Sequence, residues 1–458
     1  MKLPDGPQAP AVVQTIRGIF QPLEYLENVA QRYGDTFRFR AIGFPSSVIL
    51  THPQSIQELF TADPKLFESG KANKIFQPIL GEYSLILRDG DYHHQQRRLL
   101  TPPFHGERMK AYGEIICQIT EKVISQWKLG EPFIARSSMQ EISLRVILRA
   151  VFGLYEGTRY QQLSKLLSAT TDLFNSPFIS SFLFLPILQQ DFGSLSPWGH
   201  FLRQKQQINE LLYAEIRERR EQFDASREDI LTLLMLARDE AGQPMTDQEL
   251  RDELMTLLFA GHETTASALA WALYWIHHLP DVRKKLLQEL ETCGNDLNPN
   301  TVAKLPYLNA VCSETLRIYP IALFSFPRII NSSLKLMDYE FAPGTMLSAC
   351  IYLTHHREDL YPQPKQFKPE RFLERQFSPY EYLPFGGGNR RCIGMAFALY
   401  EMKLVLATIL SSFQVSLVDS RPIKPVRRGL TMTPGGGVRM IVTGQRQITR
   451  KSLMTQLS

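Results

Sequence analysis

The chain of 458 residues has few cysteines, little net charge and no long apolar run. Each shortage excludes a class of protein. Its five cysteines, Cys117, Cys293, Cys312, Cys350 and Cys392, form no C-x-x-C pair, so zinc ribbons and thioredoxin-type sites find no support. An odd, small number also argues against a secreted disulfide framework and makes the reducing cytoplasm the expected compartment. The 51 basic and 46 acidic side chains leave a net charge of only +5, less than the excess a dedicated nucleic-acid binder carries. With 44% hydrophobic residues the chain is too apolar to be disordered. No run of about 20 apolar residues exists, so no transmembrane segment and at most peripheral membrane contact is expected. The opening MKLPDGPQAP lacks the apolar stretch of a signal peptide. The nearest apolar stretch, residues 174–188, is short and interrupted by Pro177 and Pro186; it reads as a buried loop or as a ligand-gating or membrane-touching flap. Neither G-x-G-x-x-G nor G-K-[ST] occurs, which removes the usual dinucleotide and phosphate cradles.

What is present is a mostly helical pattern with a little β-structure. The first sixty residues read as extended, with alternation at 36–40 and a β-rich run at 47–51. From 102 to 319 the pattern is helical almost throughout. Strand signals return at 344–350, 413–418 and 438–443. At about 150 residues per domain the length allows roughly three domains, but no linker or repeat divides the chain. The expected fold is mainly α with a small β portion, one domain over 1–458. Its β-rich lobe is drawn from about 30–65, 320–350 and 413–445, and its helical lobe from about 100–320 and 390–412. A chain this long can bury a core and still enclose a ligand cavity.

The strongest helix signal covers 247–279. Thr246 is a good N-cap, Glu249 completes a capping box, and Pro280 ends the helix. Within its apolar flanks lies Ala260-Gly-His-Glu-Thr-Thr265, polar residues that are costly in a buried setting unless satisfied. The segment reads either as a wet groove or as a helix locally opened to hold water and a ligand.

Other motifs carry chemistry. In Phe385-Gly-Gly-Gly-Asn-Arg-Arg-Cys-Ile-Gly394, a glycine-rich turn delivers Cys392 to the start of a helix beside Arg390 and Arg391. Helix N-terminal N–H groups and neighbouring cations both favour a thiolate, which is a nucleophile or a metal ligand. Glu314 and Arg317 share a face of a largely apolar helix, so their pair is partly buried and needs further partners, for which Arg371 is a candidate. His93 and Arg97 stand one helical turn apart and can grip an anion together.

In order, these segments are H-x-x-x-R, A-G-H-E-T-T, E-x-x-R, P-E-R-F and F-x-x-G-x-R-x-C-x-G. The set resembles the signature of the cytochrome P-450 superfamily of haem-thiolate monooxygenases, and the resemblance runs along essentially the whole chain. The one departure is His93, where the family more often has tryptophan.

The resemblance implies haem b (iron protoporphyrin IX), with Cys392 as its thiolate axial ligand. Phe385 would pack beside the sulfur. Arg97, Arg328 and Arg390, with His93, would meet the propionates, and Glu314, Arg317 and Arg371 would form a structural network. Glu263 and Thr264 would be the acid–alcohol pair that delivers protons, with Gly261 permitting close approach to the haem face. The reaction would insert one atom of O2 into a C–H bond of an apolar small molecule. A long-chain fatty acid is the first expectation and a terpenoid or other lipid the alternative; a haem gas sensor without turnover is the competing class. The pocket would be lined by Leu85, Leu87, Ala260, Leu323, Phe324 and Met432. No fused reductase is expected, so electrons would come from a ferredoxin and ferredoxin reductase, or a flavodoxin. These would meet a basic patch of Arg98, Arg391, Arg108 and Lys110 on a monomeric, cytoplasmic protein.

Overall fold

The computed structural model describes residues 4–154, 156–174, 182, 189–191, 193, 196–294 and 298–446. The candidate flap at 174–188 lies outside them except for Phe174 and Phe182. With 57% helix and 12% strand, the chain is mainly α with a small β portion, as expected.

The central helix spans Asp247–His278, a length of about 48 Å at 1.5 Å per residue. The capping box forms: the Thr246 hydroxyl accepts from Glu249 N at 3.2 Å, and Glu249 Oε2 accepts from Thr246 N at 2.8 Å. The helix is continuous across Ala260–Thr265, so it is not locally opened. It packs along the helix Ala135–Phe152, and the helices Pro306–Ile318 and Met395–Ser412 also rest on it. Gly261 serves the first of these contacts. A Cβ there would stand 3.0 Å from Ile147 Cδ1, so the close approach it permits is to the neighbouring helix. Among the described residues, Met395–Ser412 is the one helix long and apolar enough to cross a membrane, and it is largely buried in the main core.

The described strands form four sheets, two of them two-stranded. A five-stranded sheet runs Thr36–Phe39, Ser47–Leu50, Met346–Ala349, Arg328–Ile330, Phe67–Glu68, joining segments far apart in sequence. The strand Arg439–Gln445 instead pairs with Phe413–Leu417 on one side and Pro132–Ile134 on the other, so the 413–445 region is not part of the first sheet.

The N-terminal region departs from expectation. It holds three helices, Ala11–Phe20, Pro22–Tyr33 and Pro53–Thr61, around the two expected strands. Pro22 and Pro53 stand at first-turn positions, where the fixed φ and missing N–H suit a helix start.

Candidate active site

The cysteine loop is built by backbone constraints. Cys392 N donates to Phe385 O at 3.0 Å, closing the turn whose end caps the helix Met395–Ser412. Gly388 has φ +63, and a Cβ there would lie 2.7 Å from Phe60 O and 2.8 Å from Arg328 Nη2. Only glycine fits that cradle. The Phe385 ring packs on the main core. Cys392 is exposed as a residue, yet burial among protein atoms raises its pKa. The Gly394 N–H and the cations of Arg97 and Arg391 oppose that rise. The thiol therefore faces several groups that favour its ionised form.

Around it stand four basic residues in different states. Arg328 is almost wholly buried, donating to Leu59 O at 2.8 Å and Gly387 O at 3.2 Å, with the rings of Phe60 and Phe67 on its guanidinium. Among the described residues it has no ion pair and its Nε no partner, and burial together with Arg390 pushes its pKa down to about 10. Arg97, half-buried beside Cys392, likewise forms no ion pair among the described residues, and its pKa is lowered by burial. His93 is buried one turn before it, and burial, then the cations of Arg390 and Arg97, hold its pKa down at about 3. Arg390 differs. It is paired with Asp89 at 2.6 Å and donates to Leu85 O at 3.0 Å, so its charge is already met within the protein. Asp89 in turn accepts from Ser69 N and Gly70 N.

Glu314, Arg317 and Arg371 do come together, behind the loop. Arg317 is fully buried and donates to both Glu314 oxygens at 2.6 and 2.9 Å, and to the carbonyls of His355 and Pro364. Arg371 Nε reaches Glu314 Oε1 at 3.3 Å, and Lys368 N reaches the same oxygen at 2.8 Å. His355 joins this network to the chain entering the cysteine loop. Its Nδ1–H donates to Arg317 O and its Nε2 accepts from Leu383 N at 2.9 Å, the assignment that satisfies both partners.

On the central helix the four polar residues have separate fates. His262 is buried, bonded to Leu258 O at 2.7 Å and to the Thr171 hydroxyl at 3.1 Å. Thr265 is buried and donates to Gly261 O. Glu263 is ion-paired with Arg136 at the start of the helix Ala135–Phe152, and its second oxygen, Oε2, is buried without a partner. Thr264 donates to Ala260 O at 2.6 Å, which leaves its own oxygen able to accept. Ala260 is exposed and Thr264 partly so, in a helix otherwise buried from Leu250 to Leu258 and from Thr265 to Tyr274.

The expected pocket residues are divided. Leu85 is buried, Leu87 is partly buried, and Met432 is buried with its N–H on Ile321 O at 2.9 Å. Leu323 and Phe324 instead pack into the cluster of Tyr25, Leu26 and Tyr352; within the same stretch it is Ala322 and Phe326 that are exposed. Of the expected basic patch, Arg391 and Lys110 are exposed, while Arg98 is paired with Glu240 at 3.3 Å. The sequence reading missed Arg136, Asp89 and His355, which act through partners hundreds of positions or dozens of positions away.

The donor set fits haem. An exposed cysteine suits a metal, and two cations, Arg97 and Arg328, without carboxylate partners among the described residues suit the acid groups of a dianionic macrocycle. A family profile described as Cytochrome P450 matches residues 4–439. The chain is 35% identical over 456 residues to the protein named cytochrome P450 135B1 of Mycobacterium tuberculosis strain H37Rv, covering 99% of this chain and 94% of that one. It is 32% identical over 443 residues to cytochrome P450 138 of Mycobacterium bovis, covering 96% of each. A solved structure described as retinoic acid bound cyanobacterial CYP120A1 matches with a TM-score of 0.83 at 25% identity, covering 97% of this chain and all of that one. The chain belongs to the cytochrome P450 family. It is an oxidoreductase of the haem monooxygenase type, with a cysteine thiolate as the axial ligand.

Proposed function

We propose that this monooxygenase hydroxylates a long-chain fatty acid, placing one atom of O2 in an unactivated C–H bond. The observation that carries this reading is apolar character one turn before Thr264: Ala260 is exposed, Phe259 beside it packs on the cluster of Ile79, Leu80 and Phe201 together with Phe76 and Ile86, and the Phe326 ring lies 6.4 Å from that of Phe76. Such a lining offers a small polar substrate nothing to bind. A terpenoid acid is the second reading, favoured by the structural relative described as bound to retinoic acid. Both readings share an apolar body.

Cys392 is the residue that would hold the haem iron, with Arg97, Arg328 and His93 meeting the propionates. Thiolate ligation supplies electron density that favours O–O cleavage when haem is bound. Arg390, held by Asp89, braces the loop that carries the ligand. Thr264 holds a proton donor or a water through its free lone pairs. Glu263, ion-paired with Arg136, takes protons on its unpartnered oxygen and passes them inward. A gas sensor has no use for that pair. Electrons would arrive from a ferredoxin or flavodoxin at the face bearing Arg391 and Lys110, in a cytoplasmic monomer.

The test is a panel of fatty acids of graded length, retinoid and other terpenoid acids, and small polar molecules. Each is scored by the change in the haem spectrum that follows loss of distal water. Long-chain fatty acids are expected to give the largest response. A response to terpenoid acids alone moves the assignment to the second reading, and a response to polar molecules alone removes both.

A further inference from the structure

The central helix carries a line of groups for which the pair Glu263 and Thr264 leaves no role. Glu249, Glu253, Thr256, Ala260 and Thr264 follow one another at steps of four, three, four and four residues. At 3.6 residues per turn these steps keep all five within about 80° of arc, on one stripe roughly 22 Å long. The helix runs unbroken beneath it. Glu249, in the capping box at one end, is partly exposed, and Ala260, one turn before Thr264, is exposed.

Between those points the stripe is buried and polar. Glu253 is fully buried, and neither carboxyl oxygen has a hydrogen-bond partner among the described residues. The Leu85 N–H lies near enough to favour its charged form but makes no bond of proper geometry. The groups around Glu253 are acids or are already paired. On its own helix Asp252 is bonded to Arg251 at 2.7 Å, and Glu249 accepts from the Tyr92 hydroxyl at 2.7 Å. Across from it, Arg88 lies over the rings of Tyr83 and Tyr92 and pairs with Glu82 at 3.7 Å. Burial, then the charges of Asp252 and Glu249, push the Glu253 carboxyl well above the usual carboxylate range, which favours the neutral acid. One turn on, the buried Thr256 holds its hydroxyl oxygen 2.7 Å from both Asp252 O and the buried Ser84 hydroxyl. Each hydroxyl donates and accepts, so the pair can pass a proton by rotating in turn.

We propose that Glu253 supplies protons to the distal site by a second route, along Glu249, Glu253 and Thr256 and through water at Ala260 to Thr264, beside the route through Glu263. The buried acid gives its proton forward and regains one from solvent through Glu249. The proposal rests on Thr264 as the receiver of protons, and on no particular substrate. Oxidation of a C–H bond by O2 takes up two electrons and two protons and yields an alcohol and water. Hydrogen peroxide gives the same two products with no added proton.

The experiment compares those two oxidants in the full-length holoenzyme. The substrate is palmitate or retinoic acid, whichever changes the haem spectrum more, and a ferredoxin with its reductase supplies electrons for the O2 reaction. Glu253→Gln keeps the shape of the side chain and removes its acidic proton. It should slow the O2-driven reaction roughly tenfold, less than the full worth of a proton-delivering group because Glu263 remains. It should also enlarge the solvent deuterium isotope effect, while the peroxide-driven rate matches the wild type. Thr256→Val removes only a hydroxyl and should act in the same direction; it decides the matter if Glu253→Gln fails to bind haem. Equal loss with both oxidants makes Glu253 a packing residue and overturns the proposal. An unchanged O2-driven rate overturns it alone if Thr264→Ala still diverts electrons to hydrogen peroxide. If Thr264→Ala diverts none, the reading of Thr264 falls with it.

Discussion

Arg317 and Arg328 are both buried almost completely, yet the protein serves them differently. Arg317 has its counter-charge in place, a two-pronged bond to Glu314, and three backbone carbonyls fill its remaining donors. Arg328 has two carbonyls and two aromatic faces, no carboxylate and an unpartnered Nε. Burial depresses the pKa of Arg328, the expected response of a cation without its anion. Arg97 follows Arg328, and Arg390, paired with Asp89, follows Arg317. A buried cation that is neutralised inside the fold belongs to the architecture. One that is left without an anion among the described residues is suited to a pair completed from outside.

The contrast can be broken most severely at Glu314. Glu314→Ala strands Arg317 in the core, and breaking a buried pair costs about 3–5 kcal/mol. Denaturant unfolding should show a loss of that order, with haem spectra lost alongside; an unchanged midpoint would mean that the saturated network is not structural. Arg97→Leu should act the other way round. Haem loss to a scavenger protein should quicken roughly 10–100-fold, the usual effect of removing an outer partner of a metal group. The unfolding midpoint of the apoprotein should stay where it was, because no internal pair is broken. Equal destabilisation of the apoprotein would erase the distinction between the two kinds of arginine. The smallest structural effect is expected at Thr264, whose hydroxyl serves only the Ala260 carbonyl. Thr264→Ala should keep haem and stability within about 1 kcal/mol, while product formed per reductant falls and hydrogen peroxide rises. An unchanged ratio would remove Thr264 from proton delivery.

Legibility in the sequence followed distance along the chain. Glu314 and Arg317 lie one turn apart on one helix, and periodicity alone predicts that they meet. The capping box of the central helix, again a matter of three residues, forms as read. Arg136 meets Glu263 across 127 positions and Arg390 meets Asp89 across 301, and no local pattern announces either. The N-terminal helices were hidden for another reason: their prolines stop one segment and start the next, and only the backbone direction tells which. The neighbour a Cβ at Gly261 would meet is Ile147 on the adjacent helix, more than a hundred positions away, which no local pattern names.

The sequence by itself determined the chemistry of this protein. A thiol on a glycine-bounded turn, an acid and an alcohol on a long helix, and a buried carboxylate–guanidinium pair are each specified by residues within a few positions, where covalent spacing and helical period leave little freedom. Only the tertiary structure decided how each charge is employed. Whether an arginine is neutralised, shared or left for a ligand depends on which carboxylates distant segments bring within reach, and burial makes that difference count by removing the water that would otherwise screen it.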